Sequence, residues 1–371
     1  PDISTGTLFG FVVSISGNRA ILSSHLDDEN ETNTGAVYIF EKTYNNDWHQ
    51  VFKFQASDYA QDDQFGRYVA ISDDYAIVGS WLDDPNGNAS GSAYIFERND
   101  YGYWQQIQKI SASDGAATDT FGRAVAIDNN IAVVGSYGEN DDRGQAYIFE
   151  RNDNGDWVEV QIINASDRAS NDRFGISVAI SGTYVICGAY QNDDDGSNSG
   201  AAYIFERDSS GNWSQNETQK IIASDGNTSD YFGWEVSISG NYALVGAYGA
   251  DNNESDSGSA YIFERNINGI WEETQKLTAS DGESIDNFGV DVSISGNYAV
   301  IGAWKDDDYA KGNNSGSVYL FERNSDGLWY EHTKITSFDG SPGDLYGRSL
   351  SISGKNILVG SYQDDDNGYS T

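Results

Sequence analysis

Carboxylates at alternating positions are the residues of this chain best suited to chemistry. They recur as Asp193 and Asp195, Asp251 and Asn253, Asp306 and Asp308, and Asp364 and Asp366, each in a polar loop such as "YQNDDDGSNSG" at 190–200. Calcium collects about six to eight oxygens from such side chains and from backbone carbonyls, so Ca2+ is the cofactor this pattern suggests. The plainer reading is a solvated acidic loop that keeps the chain soluble and discourages edge pairing. An aromatic stands at the mouth of each loop: Trp81, Tyr137, Tyr190, Tyr248, Trp304 and Tyr362, with His25 in the first copy. An aromatic face beside carboxylates can stack a sugar ring and bond its hydroxyls, which makes these six residues the candidate ligand contacts. Packing between neighbouring structural units is the competing role.

A second set of acids keeps a fixed spacing of five: Asp58/Asp63, Asp114/Asp119, Asp167/Asp172, Asp225/Asp230, Asp281/Asp286 and Asp339/Asp344. Asp accepts backbone N–H bonds in turns, so these pairs read as turn caps. Catalysis would break the repetition, and two outliers do so: Glu235 and Asp291 stand where other copies carry Ser or Ala. Paired carboxylates can do acid–base work if they face one another across a channel. No nucleophile elbow, phosphate loop or Cys/His cluster accompanies them, so the chain is expected not to be an enzyme.

The balance of 21 basic and 58 acidic residues gives a net charge of −37. That excludes nucleic acid as a partner, which needs a basic footprint. The single cysteine, Cys187, allows no internal disulfide and reads as a small buried hydrophobe. No apolar run approaches the roughly 18 residues of a membrane span. The chain starts at Pro1 and contains no Met, as expected of a processed product.

What positions these residues is a repeat. Phe9-Gly10, Phe65-Gly66, Phe121-Gly122, Phe174-Gly175, Phe232-Gly233, Phe288-Gly289 and Tyr346-Gly347 follow one another at spacings of 53 to 58 residues. Each full copy reads as four strands. The first carries apolar residues on both faces, as at 121–127, and a Gly/Asn turn leads to a "YAIVGA"-like second strand. After the acidic loop come a "SAYIFER" strand and a fourth strand opened by Trp48, Trp104, Trp157, Trp213, Trp271 or Trp329. Four-stranded units of this length without helical periodicity predict an all-β, seven-bladed β-propeller. It would form one domain over 1–371, with repeats of about 9–64, 65–120, 121–173, 174–231, 232–287, 288–345 and a half repeat 346–371.

The Phe-Gly pair, followed about twelve residues on by "VGA" or "VGS", resembles the FG-GAP repeat of integrin α-subunit propellers. It is closer to the variant common in bacterial and marine extracellular proteins. The resemblance spans the whole chain and implies an extracellular or cell-surface setting with a role in adhesion, recognition or assembly. It implies no particular activity. Integrin repeats hold calcium between the FG and GAP elements, but here that stretch, as in "SISGNYALVGA" at 237–247, has no acidic residue. That metal site therefore does not carry over, and calcium would have to sit in the acidic loops.

The seventh copy stops inside its acidic loop, at "SYQDDDNGYST". Its blade is expected to be incomplete, and it would be finished by residues beyond Thr371, left open, or completed by another chain through strand addition. The reading that results is a non-catalytic extracellular module for adhesion, recognition or assembly, calcium-supported and polymerising through its last blade. Its partners would be an extracellular protein or glycan, or copies of itself. A multivalent carbohydrate-binding propeller is the alternative, and a propeller hydrolase comes third.

Overall fold

The computed structural model describes residues 6–29, 31–252 and 254–364. The first blade is β1 (Val13–Ser16), β2 (Arg19–Ser24), β3 (Ala36–Lys42) and β4 (Trp48–Phe54). The second is β5 (Tyr68–Ser72), β6 (Tyr75–Ser80), β7 (Ser92–Arg98) and β8 (Trp104–Ile110); the third is β9 (Ala124–Asp128), β10 (Ile131–Ser136), β11 (Gln145–Arg151) and β12 (Trp157–Ile163). The fourth is β13 (Val178–Ser181), β14 (Tyr184–Ala189), β15 (Ala201–Glu206) and β16 (Gln219–Ile221); the fifth is β17 (Val236–Ser239), β18 (Tyr242–Ala247), β19 (Ser259–Arg265) and β20 (Trp271–Leu277). The sixth is β21 (Phe288–Ser295), β22 (Tyr298–Ala303), β23 (Ser317–Arg323) and β24 (Trp329–Ile335). The last repeat contributes β25 (Ser349–Ser353) and β26 (Asn356–Gly360).

Every sheet is an antiparallel meander in sequence order. Six of them have four strands, and the sheet of β25 and β26 has two. This corrects the expected count of seven: among the described residues there are six four-stranded blades, and the seventh Phe-Gly-type marker belongs to a two-stranded sheet packed between β21 and β1.

Two devices join the sheets into a ring. The first is a ladder of serine hydroxyls accepting backbone N–H bonds from the next innermost strand. Ser14 Oγ accepts from Ile71, Ser237 Oγ from Ile294 and Ser293 Oγ from Ile352, each at 3.1–3.2 Å. Ser349 and Ser351 accept from Val13 and Ile15 at 3.1 and 3.2 Å, which closes the circle. These serines explain why the first strands alternate apolar and small polar residues.

The second device is backbone contact between glycines. A Cβ on Gly246 of β18 would lie 2.1 Å from the carbonyl oxygen of Gly289, the glycine of the next Phe-Gly pair. The same contact recurs at Gly79/Gly122, Gly135/Gly175, Gly188/Gly233, Gly302/Gly347 and, across the closure, Gly360/Gly10. The two glycines of the repeat signature are therefore where neighbouring sheets touch without side chains between them.

The core lies between blades. The Phe of each pair meets the Tyr of its own third strand edge to face, as in Phe65–Tyr94 at 5.3 Å and Phe174–Tyr203 at 5.5 Å. Cys187 is fully buried in the cluster shared by the third and fourth blades, and burial pushes its thiol far above the usual range. It is the small hydrophobe the sequence suggested. Among the described residues, no helix is long and apolar enough to cross a membrane.

Candidate functional site

In the second, fourth and sixth blades the loop after the second strand and the loop that precedes the blade meet at one end of the ring, where a lysine from the fourth strand binds them together. Lys109 Nζ lies 2.6 Å from both Asp58 and Asp83, and Tyr94 Oη donates to Asp58 at 3.0 Å. Lys334 Nζ lies 2.8 Å from Asp281 and 2.9 Å from Asp306, while Tyr319 donates to both acids. Lys53 joins Asp27 and Glu29, Lys220 joins Asp167 and Asp194, and Lys276 pairs with Asp225. Burial opposes ionisation of Asp58, Asp167, Asp225 and Asp281, but the lysine and tyrosine donors outweigh it and hold these carboxyls below the usual range. The sequence reading missed these lysines. Their signal was there: Lys53, Lys109, Lys276 and Lys334 each stand five residues after the fourth-strand tryptophan.

The second member of each Asp pair caps its own turn. Asp63 accepts from Ala60 N, Asp119 from Ala116 N and Asp286 from Glu283 N at 2.6–2.7 Å. Burial raises Asp63, Asp230 and Asp286 to about 6.

The residues expected to hold calcium are not gathered around a common point. Asp306 is buried and bound to Ser317, Tyr319 and Lys334. Asp193 accepts from Asn198 N at 2.7 Å, Asp251 from Asp256 N at 2.8 Å and Asp308 from Ala310 N at 2.8 Å, each within its own loop. Asp195 is exposed, and the backbone N–H of Asp364 donates to Ser361 O at 3.2 Å. Asn253 and Asp366 lie outside the described residues. Among the described residues, no three acidic, imidazole or thiol groups assemble as metal ligands. Of the described members, Asp306 thus meets a lysine ammonium, while Asp193, Asp251 and Asp308 each accept a backbone amide of their own loop.

The loop-mouth aromatics form a collar around the same end of the ring, interleaved with arginines that the ligand reading did not include. Arg67 lies over Phe11 at 4.2 Å and Trp81 at 5.9 Å; Arg123 lies over Tyr68 at 4.4 Å and Tyr137 at 5.9 Å. Arg173 Nη1 donates to Tyr190 Oη at 2.6 Å. Trp234 stands between Tyr190 and Tyr248 at 4.9 and 5.0 Å, and Arg348 lies over Trp304 at 5.5 Å. Tyr362 and His25 both pack on Phe11. Tyr137, Tyr190, Trp304 and Tyr362 thus meet a side chain of the neighbouring blade, Trp81 and Tyr248 pack beside their own Phe-Gly pair, and Trp81, Tyr137, Tyr248 and Trp304 stay half-buried.

Among the described residues, no hydrogen-bond acceptor meets the buried Arg67 Nη1 or Arg123 Nη1. Burial lowers Arg67 to about 10, and the charges of Arg123 and Arg348 act in the same direction. Burial, then Arg67 and Arg123, push His25 down to about 3, so it is neutral at any ordinary pH.

Below the collar runs a channel of about 220 Å³ lined by the innermost strands, with Glu235, Asp291 and Arg348 in its wall. Glu235 precedes β17 and Asp291 lies in β21, so the two are neighbours on the wall and do not face one another across it. Burial and then the Asp291 charge raise the Glu235 carboxyl. Burial raises Asp291, although its Oδ2 accepts from Leu350 N at 2.7 Å.

In fold, the ring resembles the crystal structure of a protein from Lactobacillus plantarum, with a TM-score of 0.54, 13% identity, and coverage of 90% of this chain and 86% of that one. At that identity the likeness speaks for the fold alone. Among curated proteins, nothing matches this chain. The family model described as "FG-GAP repeat" matches residues 1–40, 48–96, 104–149, 157–205, 213–263, 271–321 and 329–371. Six of these matches begin at the tryptophan assigned to a fourth strand, and five of the six end within the third strand of the next blade, so the unit of sequence bridges the glycine contact that joins two sheets. By the repeat that runs its whole length and the ring those repeats build, the chain belongs to the FG-GAP repeat family.

Proposed function

We propose that this propeller works by binding and not by turnover, as an extracellular recognition module that engages an acidic group of a protein or glycan at the collar. The observation that carries this reading is the pair of buried guanidinium donors, Arg67 Nη1 and Arg123 Nη1, that lack an acceptor among the described residues of a chain of net charge −37. Guanidinium presents planar, paired donors to carboxylate or sulfate, and a donor left unmade in a dry site is costly. Acids far from the collar repel an anion only weakly, because physiological salt screens charges beyond about 8 Å. Against the hydrolase alternative, the channel holding Glu235 and Asp291 is 220 Å³, below the roughly 300–1,000 Å³ of pockets that enclose small ligands.

The test is binding of uronic-acid, sulfated and neutral oligosaccharides to wild type and to Arg123→Gln. Acidic ligands should bind, and the substitution should weaken them by about tenfold through loss of a charged hydrogen bond. A preference for neutral sugars that depends on Trp81 and Trp304 would favour the multivalent carbohydrate reading instead.

A further inference from the structure

The arginines of the collar do not stand singly. Arg348 lies over Trp304 at 5.5 Å and over Phe11 at 5.9 Å, and Arg67 lies over that same Phe11 at 4.2 Å. Arg67 and Arg123 share Tyr68, at 5.7 and 4.4 Å, while Arg123 and Arg173 share Tyr137, at 5.9 and 5.5 Å. Arg173 ends the series over Tyr190 at 5.9 Å. Successive guanidiniums are thus separated by a single ring, in an unbroken arc around one side of the collar. On the other side the rings carry no charge: Tyr190, Trp234 and Tyr248 meet at 4.9 and 5.0 Å.

The repeat explains the regular spacing. Arg67, Arg123 and Arg348 each directly follow the glycine of their aromatic–Gly pair, and Arg173 directly precedes Phe174. Each therefore stands at the head of an inner strand, and the pitch of the ring sets the distance from one to the next. Like charges gathered this way oppose one another, as Arg123 and Arg348 do to Arg67. Cation–π contacts, worth about 0.5–2 kcal/mol each, hold them in place. Among the described residues, the Nη1 atoms of Arg67 and Arg123 still lack an acceptor, and Arg123 is only 8% exposed. Arg173 shares its charge with Asp142 at 3.7 Å, so it marks the weaker end of the arc.

We propose, on the footing of the collar reading above, that the arc binds a linear acidic glycan along its length, several charged sugars at a time. Uronate carboxylates meet successive guanidiniums, and pyranose faces lie on the half-buried rings at the loop mouths, Trp81, Tyr137 and Trp304. A guanidinium whose face is covered by a ring keeps its edge for the paired oxygens of a carboxylate. An acidic peptide would bring the same charge without a flat sugar face for the aromatics to cover, so the interleaved rings favour the glycan.

Binding of oligogalacturonates of one, two, four and six residues to the 371-residue chain is measured by calorimetry. Affinity is expected to rise at least about tenfold from the monosaccharide to the tetrasaccharide and then to level off, because the arc ends after four arginines. Arg348→Gln and Arg173→Gln, at its two ends, should each weaken the tetrasaccharide about fivefold. Melting temperatures of the variants, compared with that of wild type, report their folding. Affinity that is flat from the monosaccharide upward, or that is indifferent to both substitutions in folded protein, would overturn the chain-binding arc and leave the single-group reading standing. Hexaglutamate binding as tightly as the tetrasaccharide would overturn the choice of a glycan. Failure of every acidic ligand to bind would overturn both readings together.

Discussion

Lys334 holds two acids of different exposure, and the difference predicts what its loss would do. The Asp281 side chain is half exposed, whereas the Asp306 side chain is 4% exposed and takes its remaining bonds from Ser317 and Tyr319. Removing one partner of a buried pair leaves a charge without compensation, so Lys334→Met should cost about 3 kcal/mol. Lys276 offers the internal comparison. Its partner Asp225 is 51% exposed, and Ala250 stands where Asp306 stands in the sixth blade. Lys276→Met should cost no more than about 1 kcal/mol. Asp281 has a lowered pKa in the fold, so its share of the stability is present above its unfolded value near 4 and is lost as pH falls through the folded value. Chemical denaturation at pH 7 and pH 3 should therefore show the Lys334→Met deficit shrinking in acid. Equal deficits for the two lysines at pH 7 would contradict the role assigned to Asp306.

At the scale of elements, the blade contact depends on glycine for lack of space as well as for backbone freedom. Gly246 has no positive φ to protect, yet its Cβ would meet the Gly289 carbonyl at 2.1 Å. Gly296, in a first-to-second-strand turn at φ 59°, has nothing within 4 Å. Gly246→Ala is expected to cost about 3 kcal/mol through overpacking, and Gly296→Ala about 1 kcal/mol through the left-handed backbone alone. Urea titrations of the two variants check the order, and the reverse order would sink the account of the ring contact. The strands and their order were legible because period-two patterning and Gly/Asn turns are local signals. The blade count was not, because a marker at Tyr346 announces a first strand and not the third and fourth that complete a blade. The acidic loops were legible as acidic but not as occupied, because Lys334 lies 28 residues after Asp306 and only the fold brings them together. The collar was half legible: the aromatics stand out by spacing, while no local pattern announces that the Arg67 and Arg123 guanidiniums lie over Phe11 and Tyr68.

For the molecule as a whole, two families of carboxylates set opposite pH slopes. Asp63, Asp230 and Asp286 are raised to about 6, and Glu235 and Asp291 are raised with them by burial in the channel wall. Between the unfolded values near 4 and the raised folded ones, the folded state binds more protons, so stability falls as pH rises. Asp58, Asp167, Asp225 and Asp281 are lowered, and their contribution disappears as pH falls below about 4. The melting temperature should therefore peak near pH 5 and decline toward pH 8. Glu235→Gln combined with Asp291→Asn removes the channel's part of that decline, and the Asn side chain keeps an oxygen for the Leu350 N–H. The net charge of −37 adds a separate effect: self-repulsion that salt screens, raising the melting temperature of wild type and double variant alike. Melting curves from pH 4 to 8 at low and high salt separate the two. A double variant with the same alkaline decline as wild type would mean that the channel carboxylates ionise without cost. It would also mean that water in the channel solvates them as bulk water does.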